Sequence, residues 1–304
     1  MTKQTPFPTR IARLVMPASN GPPVVRRDEA RLIRKSRASG CRWYKVSVAA
    51  FLWFALACSW TALSAAELSV DLAGPWRFRL DVDDAGIQQR WFATDLPDRI
   101  QLPGSLQAQG YGNDPAVDTS WTGDIIDRSW FDDPQYEKYR QGGNVKVTFW
   151  LQPDKHYVGP AWYQRTIDVP AEFAGQRIVL HLERPHWTTR VWLDEREAGA
   201  GDSLSTPHEL ELSGVEPGPH RLTVRVDNRL HVNVGPNSHS VSDHTQTNWN
   251  GIVGAIRLRA EPRDVRIDDV QVYPDVKRKT AKIAVTYVNA TGQQVSGQIT
   301  ATAA

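Results

Sequence analysis

Short runs of alternating apolar and polar side chains fill the chain after residue 66 and constrain its fold more than any other feature. Trp76, Phe78 and Leu80 alternate with arginines, a pattern that predicts a strand with one buried face. Clusters such as Pro217-Gly218-Pro219 separate the runs. Short, regularly punctuated strands predict an all-β antiparallel sandwich. The other predicted strands are Tyr163–Val169, Arg177–Leu182, Thr189–Leu193, His208–Leu212 and Arg221–Val226, and short helical turns are expected only at Ile87–Ala93 and Pro134–Arg140.

Two long segments, residues 102–140 and 227–250, carry little strand pattern and many aromatic and amide side chains. Connections of this length without secondary structure are usually functional when they occur inside a compact domain. We therefore expect both segments to lie at one end of the sandwich.

A domain boundary is expected near Glu261-Pro262-Arg263, because three further strand-like runs follow it. An immunoglobulin-like sandwich needs about seven strands and about 100 residues. The sequence thus predicts one sandwich domain over residues 67–262 and only the beginning of a second, immunoglobulin-like domain over residues 263–304. The three runs are Val265–Val276, Ala281–Asn289 and Val295–Thr302.

The first 66 residues differ in charge from the rest of the chain. They hold eleven lysines and arginines against Asp28 and Glu29, whereas the remainder holds 25 basic and 32 acidic residues. A body with net negative charge is a poor candidate for nucleic-acid binding, which depends on neutralising phosphates. Residues 1–45 are expected to form a basic, disordered leader.

Residues 46–66 have the pattern of a secretory signal peptide. An apolar run, Val46–Ala57, follows basic residues, and the small residues Ser64-Ala-Ala66 come after it. We expect export to the periplasm or the extracellular space, with Glu67 as the new N-terminus. An uncleaved signal anchor, which would attach the protein to a membrane through its leader, is the alternative.

Metal and disulfide chemistry receive little support from the sequence. Cys41 and Cys58 both precede the expected cleavage site, so the mature part is expected to hold together without disulfides. His239 and His244 with Asp243 lack a third ligand at fixed spacing. No metal site and no cofactor are expected.

The segment from Asp243 to Gly254 is the best candidate for a binding site. Trp249 can lie flat on the apolar face of a sugar ring, while Asp243, Asn248 and Asn250 can bind hydroxyl groups. The alternative is a structural loop whose tryptophan closes the end of the sandwich and whose asparagines make turns. The segment alone does not decide between them.

Four motifs stand out along the chain: Leu102-Pro-Gly-Ser-Leu-Gln-Ala-Gln-Gly-Tyr-Gly112, Ala161-Trp-Tyr-Gln-Arg-Thr-Ile167, Val191-Trp-Leu-Asp194 and Gly251-Ile-Val-Gly254. Together they resemble the N-terminal sugar-binding domain of glycoside hydrolase family 2, which includes β-galactosidases, β-glucuronidases and β-mannosidases. The resemblance implies a jelly-roll, galactose-binding-like sandwich that precedes an immunoglobulin-like domain.

The resemblance also implies which loops touch the terminal sugar of a β-glycoside. These loops fall near Asp118-Thr119-Ser120 and in the segment 243–250. Carboxylates and an imidazole would bind hydroxyls, and two indoles would stack. The residues so implied are Asp118, Thr119, Trp121, Asp243, His244, Asn248, Trp249 and Asn250. One departure is Gly254, where the family commonly has an arginine.

In such enzymes the chemistry belongs to a following (β/α)8 barrel that uses two glutamates, one as acid/base and one as nucleophile. The acid/base usually follows an asparagine, but this chain has no Asn-Glu pair and no room for a barrel of about 250 residues. Whether the chain is itself an enzyme is therefore open. We expect the N-terminal portion of a secreted glycosidase whose catalytic barrel is missing from this chain; the alternative is a free-standing, lectin-like module.

Overall fold

The computed structural model describes residues 10–16, 24–33, 68–235, 237–239, 241–244, 247–278 and 280–301. Almost all of its regular structure is β-strand, and every strand pairing is antiparallel. The strands are β1 Arg10–Met16, β2 Val24–Ile33, β3 Leu68–Asp71, β4 Gly74–Leu80, β5 Asp98–Leu102, β6 Gly104–Ser105, β7 Pro160–Val169, β8 Arg177–Leu182, β9 Pro185–His186, β10 Thr188–Leu193, β11 Arg196–Gly201, β12 His208–Glu211, β13 Gly218–Asp227, β14 Gly251–Ile252, β15 Ile256–Glu261, β16 Val265–Asp275, β17 Thr280–Asn289 and β18 Val295–Ala301.

Within the described residues, helical structure is limited to short segments. One short α-helix, α1, covers Ser129–Asp132, and the remaining turns are 3-10 helices at Trp91–Ala93, Gln107–Gln109, Pro134–Tyr139 and Ala171–Phe173. Two of these lie within the segments that the sequence predicts to be helical. Asp133 caps the turn at Pro134–Tyr139, because its carboxylate accepts a hydrogen bond from the Gln135 amide at 2.9 Å.

The chain divides into two compact units, one of which is Glu67–Glu261. This unit contains a six-stranded sheet of order β11-β10-β13-β7-β4-β5 and a four-stranded sheet of order β12-β8-β15-β3. Side chains from both sheets form one apolar core that includes Trp76, Tyr163, Leu180, Val224 and Leu258. The all-β sandwich that the sequence predicts is confirmed.

The six-stranded sheet is buried on both faces near its centre. Alternation places Tyr163 in the core between the sheets and Trp162 on the opposite face. There it joins a second group of buried side chains, here called the aromatic cluster: Trp91, Phe92, Leu96, Trp162 and Trp192. The chain therefore carries more tryptophans than a single core needs.

Register puts the two long segments of this unit at the same end of the sandwich, as the sequence predicts. Pro160, the first residue of β7, pairs with Asp227, the last residue of β13, and Thr188 at the start of β10 pairs with Asp227 from the other side. The segment before Pro160 and the segment after Asp227 consequently meet. A short three-stranded sheet of order β6-β14-β9 joins residues near them.

The other unit comprises Pro262–Ala304 together with the N-terminal residues. Its three C-terminal strands, β16, β17 and β18, match the three predicted runs to within a few residues. In addition, β2 pairs with β17 along ten residues, and β1 pairs with β18 along seven.

Strands β1 and β2 fall within residues 1–45, where the sequence predicts a disordered leader, so the structure differs from that expectation. Both segments contain β-branched and other apolar residues next to their arginines, and a neighbouring strand provides backbone partners that local composition does not reveal. Cleavage after Ala66 would remove both strands. The proposed signal peptide at residues 46–66 lies outside the described residues. Within the described ranges, no helix is long and apolar enough to cross a membrane.

Candidate sugar-binding site

The segment before β7, residues 113–155, folds around its own small apolar group and is here called the insert. Buried Trp130, Val147 and Trp150 pack together with Ile125 and Val145, and Trp121 packs against them. An antiparallel bridge between Asn113 and His156 closes the insert. The insert thus forms an ordered wall beside the segment that follows β13.

Asp243 joins three separate parts of the chain. Its carboxylate accepts hydrogen bonds from the backbone amides of Thr122 and Asn248, both at 2.8 Å, and from the His156 imidazole at 3.2 Å. Its own amide donates to the Thr122 carbonyl at 2.6 Å. Asp243 is 1% exposed, so a buried carboxylate binds the insert to the segment 241–250.

Asn248 and Asn250 extend this network into the sandwich. The Asn248 amide group donates to Thr122 Oγ1 at 3.1 Å and to the Asn228 carbonyl at 2.9 Å. Asn250 accepts from the Tyr163 hydroxyl at 2.9 Å and donates to the carbonyls of Gly159 and Val226. Both asparagines are completely buried. We call Thr122, His156, Asn228, Asp243, Asn248 and Asn250 the Asp243 network.

This burial corrects the direct sugar-binding role expected for Asp243, Asn248 and Asn250. Their polar atoms are already paired within the protein, and breaking such bonds leaves buried groups unsatisfied at a cost of about 1–3 kcal/mol each. A sugar hydroxyl would have to displace those partners. The three residues instead hold the loops in position, as the structural alternative from the sequence proposes.

Asp118 and Thr119 occupy a turn at the start of the insert. Asp118 is exposed, while Thr119 is half-buried and its hydroxyl accepts a hydrogen bond from the Ala116 amide at 2.7 Å. Trp121 and Thr122 follow directly, so the Asp243 network anchors this turn from one side. Asp118 is therefore an exposed carboxylate on a fixed loop.

The three predicted aromatic or heteroaromatic residues are half-buried. Trp121 meets Trp150 edge-on, with ring centroids 5.6 Å apart, and His244 meets Trp150 at 6.0 Å. Trp249 stacks on His186 at 4.6 Å. The structure thus places Trp121 and His244 against one tryptophan, and Trp249 in a separate stack.

His186 supports Trp249 and was not identified from the sequence. Its Nδ1 lies within hydrogen-bonding distance of the Trp249 carbonyl. Burial lowers the pKa of His186 below its usual value, although the Trp249 carbonyl and Asp243 oppose the shift. The neutral imidazole with its proton on Nδ1 is the form that donates to this carbonyl.

His156 and Asn228 are further members of the site that sequence reasoning missed. His156 lies 87 positions from its partner Asp243, so no local pattern marks it. Asn228 directly follows β13, and its side chain contacts the amide of Gly159 at 2.8 Å and the Tyr157 carbonyl at 2.9 Å. The sequence feature that could have identified Asn228 is its position immediately after a predicted buried strand.

Two glycines in the fourth motif are required by close approach. A Cβ atom on Gly251, whose φ is +142°, would lie 2.3 Å from the Gly104 carbonyl oxygen. A Cβ atom on Gly254 would lie 2.7 Å from the Glu183 side chain. The close approach of Glu183 therefore explains why position 254 holds a glycine and not an arginine. Among the residues that the structure describes, no group of three or more His, Cys, Asp or Glu could hold a metal ion.

Comparison with known proteins finds a β-galactosidase and a β-glucuronidase among the curated relatives of this chain. The chain is 26% identical to the β-galactosidase large subunit of Leuconostoc lactis over 224 residues, which cover 71% of this chain and 33% of the relative. It is 24% identical to the β-glucuronidase of Paenibacillus borealis over 162 residues, 53% of this chain and 21% of the relative. The chain thus spans a third or less of the relatives it matches. No family model matches it.

Among solved structures, the β-glucuronidase of Faecalibacterium prausnitzii is similar at 22% identity and a TM-score of 0.45, covering 69% of this chain and 34% of that chain. The similarity to the two curated relatives confirms that this chain carries a β-sandwich domain like the N-terminal domain of glycoside hydrolase family 2 enzymes.

Proposed function

We propose that this chain is the N-terminal portion of a β-glycosidase and forms one wall of its substrate site. The observation that carries the proposal is the Asp243 network, which fixes the two long loops together at one end of the sandwich. Loops that are held rigidly before substrate arrives lose little conformational entropy on binding. The relatives named β-galactosidase and β-glucuronidase supply the substrate class.

In this proposal, the network residues position the wall and other residues contact the sugar. Asp118 is exposed and can accept hydrogen bonds from sugar hydroxyls. One face of Trp249 stacks on His186, and the other face is assigned to the apolar side of a sugar ring. Thr119 holds the turn that presents Asp118.

Exposed apolar side chains on the insert and on the segment after β13 offer a surface that a further part of the enzyme can cover. Contiguous exposed apolar patches often mark contact surfaces in soluble proteins, whereas apolar side chains exposed singly are common. The insert and the segment after β13 hold seven large exposed apolar side chains: Val117, Ile126, Phe149, Leu151, Leu230, Val232 and Val234. We assign the catalytic barrel as the partner that covers them.

The proposal assigns the acid/base and the nucleophile to that barrel. Retaining glycosidases hold their two catalytic carboxyl groups about 5–5.5 Å apart across the scissile bond. The buried carboxylate of Asp243 is already bound to two amides and an imidazole, so it is not available to act as a general acid or nucleophile.

The purified chain is therefore expected to hydrolyse no nitrophenyl β-galactoside, β-glucuronide or β-mannoside. Without the acid/base and the nucleophile that the proposal assigns to the barrel, the oxocarbenium-like transition state has no stabilising partner. A family 2 enzyme assayed in parallel serves as the positive control. Turnover that persists at constant specific activity through repeated purification would refute this division of roles.

A further inference from the structure

A cavity of about 520 Å³ opens within the insert, and none of the residues predicted to bind sugar lines it. Small-molecule pockets usually measure about 300–1,000 Å³, so a monosaccharide or a disaccharide fits. The side chains that matter for recognition are Asp114, Tyr139, Asn144, Lys146, Trp150 and Asp154.

Hydrogen bonds within the insert hold the cavity walls in place. The Gln152 side chain accepts from the Val147 amide at 2.7 Å and donates to the Val145 carbonyl at 2.8 Å. The Trp130 indole donates to the Lys146 carbonyl at 2.8 Å. The Asn144 side chain donates to the Lys138 carbonyl at 2.7 Å. A ligand would meet a wall that is already ordered.

Trp150 lines this cavity and carries a buried hydrogen-bond donor. The residue is 8% exposed, and its indole nitrogen is buried without a partner among the described residues. An indole N–H can only donate, and buried polar groups are nearly always paired. A hydroxyl or ring oxygen is the kind of acceptor that this N–H can bind.

The charges around the cavity favour an uncharged ligand. The lining carries one cation, Lys146, and two carboxylates, Asp114 and Asp154, and Asp114 is paired with Lys155 at 2.7 Å. A phosphate or carboxylate site would need an excess of cations, which this lining does not provide. Aromatic rings at Tyr139 and Trp150 together with amide, ammonium and carboxylate groups suit a neutral polyhydroxylated ring.

We propose that this cavity is a subsite for a neutral sugar unit, separate from the wall formed by Asp118 and Trp249. Trp150, which lines the cavity, also meets Trp121 at 5.6 Å and His244 at 6.0 Å. In a glycosidase substrate longer than one sugar, the cavity would hold a residue beyond the terminal one. Binding here does not require the catalytic part, so it can be measured on this chain.

Ligand-observed NMR titration of the chain with lactose, cellobiose and methyl β-galactoside tests the subsite. We expect dissociation constants in the millimolar range and a loss of affinity of about tenfold or more in the double variant Tyr139→Ala/Lys146→Ala, which corresponds to about 1.4 kcal/mol. Tyr139→Phe, which keeps the ring, and Glu137→Ala, an exposed residue outside the lining, are expected to bind like the wild type. Near-UV circular dichroism and the unfolding midpoint of each variant establish that it is folded.

Three results would overturn the subsite. The first is no saturable binding by the wild type, and the second is binding that survives in the double variant but disappears in Trp249→Ala. The third is tighter binding of glucuronate than of the neutral sugars, because the charge balance described above predicts the reverse. Glycosidase turnover by the chain would overturn the proposed function but leave these outcomes unchanged.

Discussion

Replacing Trp192 with alanine is expected to lower the free energy of unfolding by about 3–5 kcal/mol. Trp192 is 3% exposed and lies between Phe92, at 5.2 Å and nearly parallel, and Trp162, at 5.0 Å. Removing the ring would leave a cavity between Phe92 and Trp162. Phe92 is held by a short turn and Trp162 by strand β7, so they cannot easily close the gap. Urea unfolding monitored by far-UV circular dichroism measures the loss.

Trp249→Ala is the comparison for this prediction. Trp249 lies on a loop, is half-buried and stacks on one ring, that of His186, so its truncation is expected to cost clearly less stability than that of Trp192. Equal losses in the two variants would mean that Trp249 is a structural plug. In that case its proposed role in stacking on a sugar would be wrong.

Replacing Asp243 with alanine is also expected to cost about 3–5 kcal/mol, the range seen when one partner of a buried charged network is removed. The change would leave the amides of Thr122 and Asn248 and the His156 imidazole without their acceptor. Asp243→Asn is expected to lose less, since one of the two oxygens remains to accept.

Asp124→Ala is a matched control, because Asp124 is an exposed carboxylate on the same insert. Surface substitutions of this kind usually change stability by about 0.5 kcal/mol or less. Denaturant midpoints at unchanged m-value compare the three variants. If Asp243→Ala lost no more stability than Asp124→Ala, the network would not be what holds the loops together.

The sandwich could be predicted from the sequence because its information is local. Alternation at Trp76, Phe78 and Leu80 and the glycine and proline clusters between strands mark where each strand begins and ends. The second apolar face of the six-stranded sheet could not be predicted in the same way. Trp162 is covered by Trp91, which lies in a turn whose position over the sheet is a tertiary feature.

The candidate site was predicted in part for the same reason. The sequence placed the candidate site in residues 102–140 and 227–250, and the register of β7 and β13 brings together the residues that precede Pro160 and follow Asp227. It did not show which polar side chains are buried, because Asp243 and Asn250 find partners more than 80 positions away, at His156 and Tyr163. Residue type and spacing are the same for an asparagine that binds a sugar and for one that fixes a loop; only the three-dimensional contacts distinguish them.

The pairing of β1 and β2 with β18 and β17 is also non-local. The arginines of residues 10–33 suggested a disordered leader by composition, but the backbones of both segments pair with strands far along the chain. Composition therefore shows that this region is basic, but it does not reveal that the backbone forms strands.

Calorimetric titration of the chain with galactose, glucuronate, mannose and their methyl β-glycosides tests the central claim most directly. A sugar held by a few hydrogen bonds at one wall gains only about 0.5–1.5 kcal/mol from each, and immobilising it costs several kcal/mol. The wall of a site whose other half lies on a catalytic barrel is therefore predicted to bind with millimolar or weaker affinity. Micromolar binding of any of these sugars, lost in Trp249→Ala, would contradict this prediction and identify the chain as a complete lectin-like module.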